Sequence, residues 1–255
     1  MECALASRGA SRHSGPEVQG PDCRVGPSHL DAHSHSYAGV VPRVVTDVLT
    51  FAVLGFMAVR LVTGVRESRT SAGRAIMAPI VRGLRWRHVW PAPLLLVVVG
   101  WLAWMLLLVP GLDWGWWSAL GGDGNPVFGS SSTTSGTVWE WLVPTLFVVL
   151  LIAALPLFAF AEERLFRAGA EGWSRGLRVW KSVQFGLVHT LIGVPIGVAI
   201  ALTVSGAYFM WVYLRAYHRT RSRREATFES ARAHTGYNGF IIAVVLVAVL
   251  ADAIS

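Results

Sequence analysis

From Ser182 to Leu214 the chain runs for 33 residues without Asp, Glu, Lys or Arg. As a single helix this stretch would be roughly 50 Å long, against a hydrocarbon core of about 30 Å. A run that apolar and that long is expected to fold back on itself, and the cluster Gly193, Pro195 and Gly197 supplies the turn. Further apolar segments are Val44–Val59 (short, with Asp47 and Arg60 at its ends), Ala92–Pro110, Trp141–Ala161 and Asn238–Ala251. Counting both arms of the 182–214 hairpin gives an all-α, polytopic transmembrane bundle of about six spans. The composition agrees: 53% of the 255 residues are hydrophobic and 15% charged, where soluble domains carry about 25% charge. An ordinary cytosolic enzyme, a disordered chain and a DNA-binding domain are thereby excluded.

The net charge of +7 has a place in this layout. Arginines gather at 60–87, at 164–178 and at 215–224, while the stretch 111–137 holds no Lys or Arg. By the positive-inside rule the three basic loops are cytoplasmic and 111–137 is external. The arrangement requires the hairpin, because one span across 182–214 would carry Arg215–Arg224 to the wrong side. Tryptophans 86, 90, 173, 180 and 211 then mark cytoplasmic ends, and 114, 116, 117, 139 and 141 the external boundary. Beside a span, Arg215–Arg224 reads as a topology and anionic-lipid signal, not as a nucleic-acid patch.

Residues 1–43 are rich in Ser, Gly, Pro and His, have no periodic apolar face and lack the short apolar core of a cleaved signal; they read as a disordered polar tail. Cys3 and Cys23 lie in it and define neither a disulfide framework nor a zinc site. His29, His33 and His35 read as part of the solvated tail. The organisation expected is therefore a tail at 1–43, accessory transmembrane segments and an external loop at 44–137, and a functional core at 138–255.

Ionisable groups at membrane depth are costly and mark function by default. Three sets stand out. In Glu162-Glu163-Arg164-Leu165-Phe166-Arg167, Glu163 and Arg167 are spaced i,i+4 with the acid first, the favourable order for an ion pair. Glu162 points about 100° away, toward Leu165 and Phe166, where desolvation favours a general base. In Phe185-Gly186-Leu187-Val188-His189, His189 is the one histidine of the 33-residue run, Phe185 lies one turn before it, and Gly186 permits close helix approach. In His234-Thr235-Gly236-Tyr237-Asn238, His234 and Asn238 share a helix face and could offer two donors to a developing oxyanion. Each set has a plain structural alternative: an interfacial charge cluster, a histidine bonded to a neighbouring helix, and a polar contact where a span begins.

The ordered set E-E-x-x-x-R, F-x-x-x-H and H-x-x-x-N, each beside a different span, resembles the CPBP family of intramembrane proteases. That family includes the type II CAAX prenyl endopeptidases and the Abi-type bacteriocin-processing or immunity proteins. The resemblance covers roughly 138–255. It implies that Glu162 activates water with help from His189, that His234 and Asn238 stabilise the oxyanion, and that Glu163, Arg167 and Phe185 support them. The implied reaction is endoproteolysis of membrane-associated proteins or peptides, CAAX-like prenylated ones among them, at the cytoplasmic side of a multi-pass cell-membrane protein. Members are often described as metalloproteases, and Glu162, His189 and His234 would suit a three-ligand zinc site. No H-E-x-x-H pair is present, and the metal-free glutamate mechanism, needing no cofactor, is the reading adopted. The family's first motif usually places glycine directly after the arginine; here Ala168 precedes Gly169. The bias to arginine over lysine, with Ala and Val abundant, fits a GC-rich bacterium. The partners expected are the lipid bilayer and a peptide or protein substrate, with no nucleic acid. A family member without protease activity, acting as an immunity factor or membrane partner, is the alternative; a small transporter is less favoured because no inverted repeat is seen.

Overall fold

The computed structural model describes residues 43–115 and 137–252, all of them within one unit, Tyr37–Ser255. Residues 1–42 of the tail expected at 1–43, with its cysteines and histidines, and the stretch 116–136 of the expected external loop lie outside the described residues, while Arg43 begins α1. Every regular element among the described residues is helical: α1 Arg43–Ser68, α2 Ser71–Gly83, α3 Trp86–Val89, α4 Pro91–Leu107, α5 Trp139–Phe166, α6 Arg175–Leu187, α7 Ile196–Thr220 and α8 Arg223–Asp252. Short 3₁₀ turns follow α5 (Ala170–Gly172) and α6 (Val188–Ile192).

The helix boundaries follow local chemistry. The Thr70 side chain accepts the Gly73 amide hydrogen bond at the start of α2, and Ser174 accepts that of Leu177 at the start of α6, each satisfying an otherwise unpaired first-turn donor. Proline opens α4, where its missing N–H costs nothing. Gly169 ends the α5 segment with φ 96°, a left-handed conformation that glycine adopts without a Cβ clash. Glycine is therefore required at 169, one residue later than the resemblance implied.

Among the described residues, three helices are long and apolar enough to cross a membrane: Trp86–Leu107, Thr145–Gly172 and Ile196–Thr220. Of the segments read from the sequence, Ala92–Pro110 and Trp141–Ala161 fall within or largely within two of them, and the second arm of the hairpin forms the third. Val44–Val59 lies inside the longer α1.

The turn within 182–214 falls where the glycines and proline placed it. Gly193 has φ 93° and Pro195 precedes α7. The first amides of α7 are satisfied from outside the helix. Ile196 donates to the Trp114 carbonyl (3.0 Å) and Gly197 to that of Leu112 (2.7 Å), which ties the hairpin turn to the end of α4. Helix α7 is central and packs against α4, α6 and α8; α5 packs on α8, and α1 and α2 flank α5. Gly186 lets α6 lie against α7 so closely that a Cβ there would stand 2.2 Å from the Ala199 carbonyl oxygen. At the opposite end from the turn, the basic loops meet. Arg87 and Arg219 both reach Glu229, and Arg223 is hydrogen-bonded to Glu171, which also accepts from the Tyr213 hydroxyl.

Candidate active site

The C-terminal turns of α5, the end of α6 and the first half of α8 converge around one buried carboxylate. Glu163 and Arg167 are both fully buried and paired, with Arg167 Nη1 3.0 Å from Glu163 Oε1. The same oxygen accepts from His234 Nδ1 at 2.9 Å, and Ser230 Oγ lies within hydrogen-bond reach of Oε2 and of the Phe209 carbonyl. Arg167 Nη2 donates to the Gly206 carbonyl at 3.3 Å. A buried ion pair persists only when its remaining donors and acceptors are also met, and the Ser230, His234 and Gly206 contacts do this.

His234 is 2% exposed and stacks on Phe209, ring centroids 4.4 Å apart. An ionised carboxylate only accepts, so the Glu163 contact places a proton on Nδ1 and leaves Nε2 of the neutral ring as an acceptor. That nitrogen stands 3.8 Å from Glu162 Oε2, beyond direct hydrogen-bond range. Glu162 Oε2 is itself buried without a hydrogen-bond partner, although the side chain as a whole is 35% exposed. The two glutamates thus occupy different settings, as their 100° separation on the helix implied. Glu163 is locked into a network, and Glu162 faces His234 with unused acceptor capacity.

Phe185 connects the remaining residues. Its ring packs edge-on against His189 (5.2 Å) and against His234 (5.6 Å), and the Arg167 guanidinium carbon lies 4.2 Å from its centroid. His189 is half-buried, and its Nδ1 lies 2.8 Å from the Phe185 carbonyl, so this nitrogen carries the proton and Nε2 is left as an acceptor. Glu162, Glu163, Arg167, Phe185, His189 and His234 therefore belong to one neighbourhood. Asn238 lies one turn beyond His234, half-buried, with no hydrogen bond among the described residues. With Nδ1 committed to Glu163, His234 does not present two donors alongside Asn238; only Nε2 is uncommitted.

His234 and Glu162 meet at this depth because α8 is continuous from Arg223. His234 is consequently well inside a helix and not at the start of one. Ser230 and Phe209 were not among the residues read from the sequence. Ser230 carried a usable signal: Ser230, His234 and Asn238 repeat at i,i+4 along one face of α8. Phe209 carried none, because its role depends on how α7 packs against α8.

No group of three or more His, Cys, Asp or Glu side chains placed to hold a metal ion occurs among the described residues. Comparison of the chain with protein-family models, curated proteins and solved structures found no match.

Proposed function

We propose that this chain is an intramembrane endopeptidase of the CPBP type, a multi-pass membrane protein of about six spans whose reacting groups face the cytoplasmic half of the bilayer. The observation that carries the reading is the relay Glu163–His234–Glu162. A fully buried carboxylate fixes the tautomer of an imidazole whose other nitrogen faces a second, partly exposed carboxylate across 3.8 Å. A water hydrogen-bonded to both Glu162 and His234 Nε2 would satisfy the unpartnered oxygen.

In the proposed reaction Glu162 takes a proton from this water as its oxygen bonds to the scissile carbonyl carbon. The tetrahedral oxyanion is stabilised by the side-chain amide of Asn238, while Nε2 of His189 or His234 accepts a hydrogen bond from the O–H that the attacking water keeps. The C–N bond then breaks and the protonated Glu162 delivers its proton to the leaving amine, giving a carboxylic acid and an amine. Glu163, Arg167 and Phe185 act as positioning residues. The substrate proposed is a membrane-associated peptide or protein, prenylated CAAX-like chains included.

The test uses the full chain reconstituted in lipid with membrane-tethered and prenylated peptides. Cleavage by the wild type should fall at least a hundredfold in Glu162→Gln, with the helical fold retained. The same assay run with and without a chelator separates metal-dependent from metal-free hydrolysis. Equal cleavage by wild type, Glu162→Gln and His189→Gln would remove the proposal.

A second reading has its own support. Glu163 and Arg167 are 0% exposed and His234 2%, as in a polar cluster that specifies packing. A membrane partner or immunity factor without protease activity would then keep the fold for another purpose. Cells carrying Glu162→Gln would behave as wild type while deletion strains did not.

A further inference from the structure

A cavity of about 610 Å³ lies between α4 and α7, away from the Glu162 cluster. Its volume is in the range of ligand sites, and its two walls are graded in the same direction. Trp90, which caps α4, and Leu94 and Val98 within it repeat at i,i+4,i+8 and are 54%, 63% and 40% exposed. On α7 the stripe runs Val204, Tyr208, Trp211, Arg215, Arg219. Because α4 and α7 run in opposite directions here, Arg87 on α3, just ahead of α4, comes to the same end of the cavity as Arg215 and Arg219 near the end of α7. The cavity is cationic at that end and apolar toward the other.

Arg87 is paired internally, but Arg215 and Arg219 at the mouth are left largely unpaired. Glu229 is the one carboxylate lining the cavity. It is bound at 3.0 Å by Arg232 and at 3.2 Å by His88 as well as at 2.7 Å by Arg87. Arg219 stands 3.8 Å from it with its side chain 59% exposed. Arg215 pairs with no carboxylate among the described residues; its guanidinium carbon sits 5.2 Å from the Trp211 ring centroid. From Arg219 to Val204 the helix rises about 22 Å, enough for a headgroup plus the roughly 15 Å depth of one leaflet, half of a ~30 Å core.

We propose that the trough between α4 and α7 binds one anionic phospholipid of the bilayer, its phosphate on Arg87, Arg215 and Arg219 and an acyl chain along Trp90, Leu94, Val98 and Tyr208. An ordinary lipid-facing surface is apolar and convex; this one is concave and carries guanidinium donors suited to bidentate phosphate binding. The reading does not depend on the proposed protease activity.

The test is retention of lipid by the purified full chain, measured by native mass spectrometry after extraction from vesicles of phosphatidylcholine mixed with phosphatidylglycerol. Preferential retention of phosphatidylglycerol is expected. It should weaken roughly fivefold for each arginine removed in Arg215→Gln and Arg219→Gln. Arg60→Gln with Arg66→Gln, remote from the trough, should leave it unchanged. Val98→Trp, which alters no charge, should reduce it by filling the apolar part. Equal retention of the two lipids would overturn the proposal, as would unchanged binding by the Arg215→Gln/Arg219→Gln chain. Displacement by glycerol phosphate as readily as by phosphatidylglycerol would also overturn it, because the site would then read a phosphate without its chain. So would displacement by an acidic peptide but not by lipid.

Discussion

The guanidinium carbon of Arg167 lies 4.2 Å from the centroid of the Phe185 ring, so an aromatic face packs on a buried arginine whose Nε has no hydrogen-bond partner. The same ring touches both His189 and His234. Phe185→Ala is expected to lower stability by about 3–5 kcal/mol through the cavity it leaves. Phe185→Leu, which retains most of the volume and loses the π face, should cost about 1–2 kcal/mol. Thermal unfolding in detergent distinguishes the two, and equal effects would deny the arginine–ring contact any role.

The Glu163–Arg167 pair is expected to behave as a coupled unit. Arg167→Met leaves a buried carboxylate without its cation and should cost about 3–5 kcal/mol. Glu163→Gln combined with Arg167→Met should cost clearly less than the sum of the separate changes. A double-mutant cycle on unfolding free energy measures this, and strict additivity would show that the two charges do not interact.

Acid should weaken the join between α3 and α8. The hydrogen bond from His88, together with Arg232 and Arg87, holds the Glu229 carboxyl down to about 2 from its usual 4.5, against the opposing pull of burial. A carboxylate depressed on folding stabilises the fold above its unfolded pKa, and that contribution disappears as pH falls through the folded value. The wild type should therefore exceed Glu229→Gln in stability by about 1–3 kcal/mol at neutral pH, and the gap should close between pH 4.5 and 2. A pH series of unfolding midpoints for the two proteins reads this directly; a gap constant over that window would contradict it.

Two glycines on α6 should respond in opposite directions to the same change. A Cβ at Gly186 would meet the Ala199 carbonyl oxygen at 2.2 Å, a backbone atom that cannot step aside, whereas nothing lies within 4 Å of one at Gly176. Gly186→Ala should destabilise by about 1–3 kcal/mol. Gly176→Ala should stabilise by about 0.5–1 kcal/mol, because alanine loses less backbone freedom on folding. Unfolding midpoints of the two variants suffice as the measurement.

What the sequence disclosed was mostly what is local. The Glu163–Arg167 pairing follows from i,i+4 spacing, the turn at Gly193–Pro195 from residues that break helices, and the closeness at Gly186 from its missing side chain. The meeting of His234 with both glutamates was only partly legible. Its shared neighbourhood followed from the motif order, but the tautomer assigned by Glu163 Oε1 depends on a contact 71 positions apart in the chain. The start of α8 was not legible because apolarity rises only near Asn238, while the helix begins at Arg223, where Ser222 and Glu225 favour its start. The cluster around Glu229 left no signal in pattern at all, since its arginines read equally well as a topology signal.

The clasp between the end of α4 and the first turn of α7 gives the bundle a fixed corner. With the Leu112 and Trp114 carbonyls accepting from Gly197 and Ile196, the α4–α7 pair is pinned at the turn end, so any separation of the two helices is expected at the arginine end. Amide hydrogen exchange at Gly197 should accordingly be slower than at Ser222, whose N–H meets only the Thr220 hydroxyl; the reverse order would place the hinge elsewhere. A clasp at one tip directs such separation to the other, the end that carries Arg215 and Arg219.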